Sequence, residues 1–183
     1  GMYVSAQNNA LEFDGSDDYV TVSNISLNGM ANLTFETWVK PHSFNPQAGD
    51  NYISNLLGYE NADALLRIGD EDPSSLVSNN RPQFVITTTS GNKKCNAITE
   101  MQANTWYHVA GTYDDTNMRI YVNGKLESTQ AHTGNIQSSQ TVLIIGAQTA
   151  LTRCLEGYLD EVRIWSTPKT ESEIRQSMYV ELQ

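Results

Sequence analysis

The chain has 183 residues, ample for one hydrophobic core and short for two. It carries 21 acidic against 11 basic residues, a formal net charge of −10, which argues against a phosphate backbone as partner and so against nucleic acid. No apolar run reaches the ~20 residues that a membrane-spanning helix needs, so membrane insertion by a helix is not expected.

The elements are short and strand-like from the start. Leu11–Phe13 reads as a strand entering a turn at Asp14-Gly15, and Tyr19–Val22 as the next strand. Leu33–Lys40 alternates cleanly, with Leu33, Phe35, Thr37 and Val39 on one face and Thr34, Glu36, Trp38 and Lys40 on the other, until Pro41 ends it. Tyr52–Leu57 and Ala64–Ile68 are strands set among loop residues such as Pro46, Gly49, Asn61, Asp70 and Pro73. Gln83–Thr88 is a strand with Ser90-Gly91-Asn92 as its turn, and a strand from Cys95 to about Thr99 follows.

A well-marked meander comes next. Thr105–Tyr113 is a strand, Asp114–Asn117 its turn, and Met118–Val122 the return. Asn123-Gly124 predicts a two-residue hairpin, since both central residues of a type I′ turn need positive φ. Lys125–Ser128 returns again. Thr141–Gly146 is almost continuously apolar, which places it in a buried strand position. Leu155–Trp165 is the last strand. Only the end reads as helix, where Thr170 with Glu173 three residues on forms a capping box and Ile174 and Met178 share a side. Roughly a dozen short strands punctuated by turns predict an all-β fold: a two-sheet antiparallel jelly-roll sandwich with a short C-terminal helix, residues 1–183 forming a single domain.

Several segments, in order, carry a family resemblance. Leu11–Val20 is similar to an opening "FDG…DYV" pattern, Leu33–Pro41 to "T-x-E-x-W-V-K-P", Thr105–Asp114 to "TWYHVAGTYD", Met118–Gly124 to "RIYVNG", and Gly157–Trp165 to "GxIDEVRIW" with a helix after it. Together they resemble the laminin-G-like branch of the concanavalin A-like lectin/glucanase superfamily over nearly the whole chain, with 42–82 matching least. The resemblance implies a convex and a concave sheet, and a function in glycan or protein recognition.

The resemblance also implies that Asp14 and Asp160 approach each other. With Asp17 they make a candidate calcium set, an ion that would brace the fold rather than do chemistry. The other reading of Asp14, Asp17 and Asp18 is a turn whose aspartates accept from their own backbone amides. Related glucanases place three carboxylates on one strand face. Here Glu156 and Asp160 share a face with Tyr158 between them, about 13 Å apart by strand rise, too far for either glycosidase geometry. His108 lies within a strand beside Trp106 and reads as a hydrogen-bonded structural histidine, so no active site is expected.

Cys95 and Cys154 have no CxxC spacing and no histidine beside them, which argues against zinc; a Cys95–Cys154 disulfide and two buried free thiols both remain open. Sugar recognition uses rings that stack on sugar faces and polar groups that bind hydroxyls. The candidates are Tyr52, Asn55, Tyr59, Asn61 and Arg67, in the stretch that departs from the family pattern, and Arg81 at its end; Tyr52 and Tyr59 as core residues is the alternative. The expectation is a non-catalytic carbohydrate-recognition module within a larger multidomain protein, placed outside the cell, on its surface or in the periplasm. Its partner is a glycan or an extracellular protein. The alternatives are a protein-binding or adhesion domain and, further off, a glycoside hydrolase.

Overall fold

The computed structural model describes residues 10–44, 53–59, 63–69, 80–148 and 151–180. Twelve strands form two six-stranded antiparallel sheets. Sheet A runs in the order β1 (Leu11–Asp14), β12 (Glu156–Trp165), β3 (Leu33–Pro41), β8 (Tyr107–Tyr113), β9 (Asn117–Val122) and β10 (Lys125–Ala131). Sheet B runs β2 (Val20–Ser23), β11 (Val142–Ile145), β4 (Ser54–Gly58), β5 (Ala64–Ile68), β6 (Pro82–Thr88) and β7 (Gly91–Asn96). One helix, α1 (Glu171–Ser177), closes the described chain. The predicted all-β sandwich is thus present, with chain-distant β1, β12 and β3 side by side.

The core lies between the sheets. Phe35 and Val39 from β3 and Val109 from β8 meet Leu66, Phe84 and Ile86 from sheet B, all out of solvent. Gly111 of β8 makes the closest approach, since a Cβ there would stand 2.4 Å from Phe84 Cγ. The Phe35 and Phe84 rings pack edge to face, with centroids 6.3 Å apart.

The turns follow their residues. Asn123 (φ 51°) and Gly124 (φ 72°) form the tight β9–β10 connection. Asp114 Oδ1 accepts from the amides of Thr116 and Asn117 and closes the β8–β9 turn. The β6–β7 hairpin is tighter than expected: Thr88 pairs with Gly91, so Gly91 and Asn92 already belong to β7.

Two departures shape the outer face of sheet A. First, the polar face of β3 is not wet: Thr34 and Glu36 are fully buried. α1 lies over that face, where Ile174 packs with Ala110 and Tyr121. The capping box forms as expected, Thr170 accepting from Glu173 N and the Glu173 side chain from Thr170 N. Second, β12 is bulged between Asp160 and Arg163, with Glu161 at φ 53°. Leu159 faces the core before the bulge; Val162 and Ile164 do so after it.

The Cys95–Cys154 bridge does not form; neither thiol is in a disulfide and both are buried. Cys95 sits on β7, one edge of sheet B, whereas the Cys154 thiol donates to Ser16 O beside the β1–β2 turn, toward the opposite edge. Five strand spacings separate those edges, roughly 20 Å or more, against a Cα limit of ~7 Å for a disulfide. Burial also pushes the Cys95 thiol pKa up.

Candidate functional site

The outer face of sheet B brings two of the expected ligand residues together. Leu66 and Ile68 of β5 face the core, so Arg67 points the other way. The register sets Asn55 opposite Arg67, Arg67 opposite Gln83, and Gln83 opposite Asn96. Directly opposite residues share a face, so the four form a polar row across β4, β5, β6 and β7. Arg67 Nε donates to Gln83 Oε1 at 2.7 Å, and Gln83 Nε2 to Asn96 Oδ1 at 2.5 Å. Asn55, Arg67 and Gln83 lie below the surface, at 3%, 0% and 0% exposure, while Asn96 at the outer edge is half-buried. Asn55 Oδ1 has no hydrogen-bond partner among the described residues. A buried amide oxygen left this way is unfavourable by about 1–3 kcal/mol. Gln83 and Asn96 were missed in the sequence because only the strand register joins them to Asn55.

The other candidates lie elsewhere. Tyr59 is a core residue, 1% exposed, its hydroxyl donating to Ile25 O at 2.6 Å. Arg81 pairs with Glu100 near the surface, Nη2 to Oε1 2.8 Å. Tyr52 and Asn61 fall outside the described residues.

The expected metal set is not assembled. Asp14 pairs with Glu156, and Asp160 lies four residues further along β12, opposite Trp38. That is about 13 Å of strand. Asp14, Asp17 and Asp18 do converge, with one carboxylate oxygen of each within 4.8 Å of the others, and all three are exposed. Oxygens of Asp14 and Asp18 serve the turn itself: Asp14 Oδ1 accepts from Ser16 N at 2.8 Å and Asp18 Oδ2 from Asp14 N at 3.0 Å. This is the backbone-capping arrangement that the sequence left open beside calcium, and the set Asp14, Asp17 and Asp160 does not fit an ion.

His108 is buried but not hydrogen-bonded, contrary to expectation. Its Nε2 stands 3.6 Å from Glu36 Oε2. The Glu36 oxygens are already taken, Oε1 by Trp165 Nε1 at 2.9 Å and Oε2 by Ser177 Oγ at 3.1 Å. Burial, helped by the nearby Arg163 charge, lowers the imidazole pKa to about 3 and keeps it neutral. Arg163 in turn donates to Ser177 O, Val180 O and the Glu161 carboxylate, tying the chain after α1 to the bulged strand. This cluster under the helix is structural.

A second surface was not legible as a site. Tyr158, Trp106 and His42 gather half-buried on the outer face of sheet A, with Lys40 beside them and Glu12 and Glu156 exposed at the rim. The sequence signal was the alternation that set Glu156, Tyr158 and Asp160 on one face; the cross-strand neighbours were missing.

The family model of the concanavalin A-like lectin/glucanases superfamily matches residues 14–175, and the chain belongs to that family. Among solved structures it is similar to a Bacteroides ovatus protein named for carbohydrate binding (TM-score 0.72, 23% identity, 91% of this chain and 46% of that one). It is also similar to domain 4 of AbnA, an extracellular GH43 arabinanase from Geobacillus stearothermophilus, in complex with arabinotriose (TM-score 0.70, 14% identity, 94% and 78%). A heptameric SAP-like pentraxin from Limulus polyphemus matches as well (TM-score 0.65, 17% identity, 90% and 78%). At these identities the likeness is one of fold. Among curated proteins, Pappalysin-1 of Mus musculus is 35% identical over 78 residues, 40% of this chain but only 5% of that protein's length.

Proposed function

We propose that this chain is a non-catalytic carbohydrate-recognition module of an exported or surface protein, working as one domain of a longer polypeptide. The observation that carries the reading is the polar row Asn55–Arg67–Gln83–Asn96 on the outer face of sheet B. Amides and a guanidinium aligned across four strands, with Arg67, Gln83 and Asn96 hydrogen-bonded in series, are pre-organised for sugar hydroxyls, so little ordering entropy is lost on binding. Asn96 is the end that meets solvent. The names of the similar structures, one for carbohydrate binding and one in complex with arabinotriose, support the same class of ligand.

Recognition rather than hydrolysis fits the carboxylates. Glu156 and Asp160 are about 13 Å apart along β12, beyond the ~5–9.5 Å of glycosidase pairs. A glycan array probed with the folded protein tests the reading. Binding to one sugar class is expected, weakened at least tenfold by Asn96→Ala. Silence across the array from protein that melts cooperatively overturns it in favour of a protein partner.

A further inference from the structure

The outer face of sheet A carries its own cross-strand row. Glu12 pairs with Tyr158, and Tyr158 with Lys40. Tyr107 pairs with Val39, so Trp106, one residue earlier, continues the row beyond Lys40. Around the Tyr158 ring stand the Trp106 ring, 6.3 Å away between centroids and inclined by 37°, and the His42 ring, edge-on at 4.9 Å and 84°. Lys40 Nζ lies 5.6 Å from the Tyr158 centroid. Glu12 Oε1 accepts from the Tyr158 hydroxyl at 3.0 Å and fixes the phenol, and Ser43 Oγ donates to Glu156. The backbone bond His42 N to Glu156 O, 2.8 Å, holds the loop that carries His42 against the start of β12. None of these three rings belongs to the buried core clusters.

The three tryptophans differ in one telling way. The indole N–H of Trp38 donates to Met178 O and that of Trp165 to Glu36. No described residue accepts from Trp106. Its ring is half-buried at the surface, with its donor available.

We infer that this row is a second carbohydrate-binding surface, which takes a neutral pyranose chain of two or more residues; the inference rests on the carbohydrate reading above. The C–H face of a pyranose packs on a flat ring, and its equatorial hydroxyls project to the rim, where Glu12 and Glu156 accept and Lys40 and the Trp106 indole donate. Two inclined rings 6.3 Å apart suit successive sugars of a twisted chain rather than one ring. Charge selects against acidic sugars: Glu12, Asp14 and Glu156 outnumber Lys40. The two rows lie on opposite outer faces of sheets packed ~10 Å apart, so no short oligosaccharide touches both.

The test uses cellohexaose, xylohexaose and mannohexaose, with a galacturonic acid hexamer as the acidic comparator. Binding is followed by calorimetry and by the three indole N–H resonances. At least one neutral hexasaccharide is expected to shift the Trp106 resonance alone, and the acidic one to shift none. Trp106→Ala and Tyr158→Ala should weaken that binding at least tenfold, and Asn96→Ala should leave the Trp106 shift intact. Tyr158→Phe, which keeps the ring but drops the bond to Glu12, stands in if Tyr158→Ala does not fold. Binding that leaves Trp106 unmoved and disappears with Asn96→Ala overturns this second surface and leaves the first. No hexasaccharide bound while the array is positive overturns this surface alone; silence in both overturns the carbohydrate reading with it.

Discussion

Acidification should destabilise this fold through His108. The ring is fully buried and its pKa is about 3, against 6.5 in the unfolded chain. Between those values the unfolded state binds the extra proton, so stability present near neutrality is lost as pH falls below 6.5. Each unit well below 6.5 is worth about 1.4 kcal/mol, and the drop from pH 7 to pH 5 comes to about 2 kcal/mol. With a urea m-value of about 2 kcal/mol/M, the unfolding midpoint should fall by roughly 1 M over that interval. Other groups titrate too. The His132 pKa is lowered by burial and then by Lys93, so the measurement is a difference between wild type and His108→Gln. The variant's midpoint should move by roughly 1 M less than the wild type's over the same interval. In wild type, the His108 ring resonances should not titrate above pH 4. Parallel pH profiles for the two proteins, or a His108 titration near pH 6.5, would refute the account of a neutral ring wedged between Glu36 and Arg163.

Three further outcomes follow from the packing and the turns. Gly111→Ala drives a methyl into the Phe84 ring and should destabilise by about 1–3 kcal/mol, read as a melting temperature lower by roughly 5 °C. Thr170→Ala removes the α1 cap, about 1 kcal/mol, and should speed hydrogen exchange at the Ile174 and Met178 amides about fivefold, while β3 amides stay protected. Chelator should leave the melting curve in place, because oxygens of Asp14 and Asp18 already serve the turn; a rise of several degrees on adding calcium would show that an ion binds the native state there.

Local chemistry is legible in the sequence and long-range neighbours are not. Asn123-Gly124 and the Thr170/Glu173 cap act within a few residues, and both appear as expected. The β12 bulge departs from the regular alternation expected of this strand: Leu159, Val162 and Ile164 are inward residues spaced three and then two apart, a break in the two-residue period that marks one extra residue. Glu36 reads as an exposed strand residue because its covering, α1, lies more than 130 residues later. For the candidate site, Asn55 and Arg67 could be picked out by type and region, but their alignment with Gln83 and Asn96 is a property of register. For Tyr59 the structure selects the core alternative; an aromatic in a strand-flanking loop looks the same in sequence whether it stacks on a ligand or fills a core.

The four sheet borders bear on how any partner can attach. β1 and β2, at one side, are only four residues long. β7 presents Lys93 and Lys94, and β10 is bulged between Leu126 and Ser128, with Glu127 turned to accept from the amides of Ile98 and Thr99. Shortness, lysine and bulging each deny an incoming strand a ladder to extend. Among the described residues, a partner that adds a β-strand therefore finds no long, regular edge to extend, and edge-to-edge pairing between copies is disfavoured.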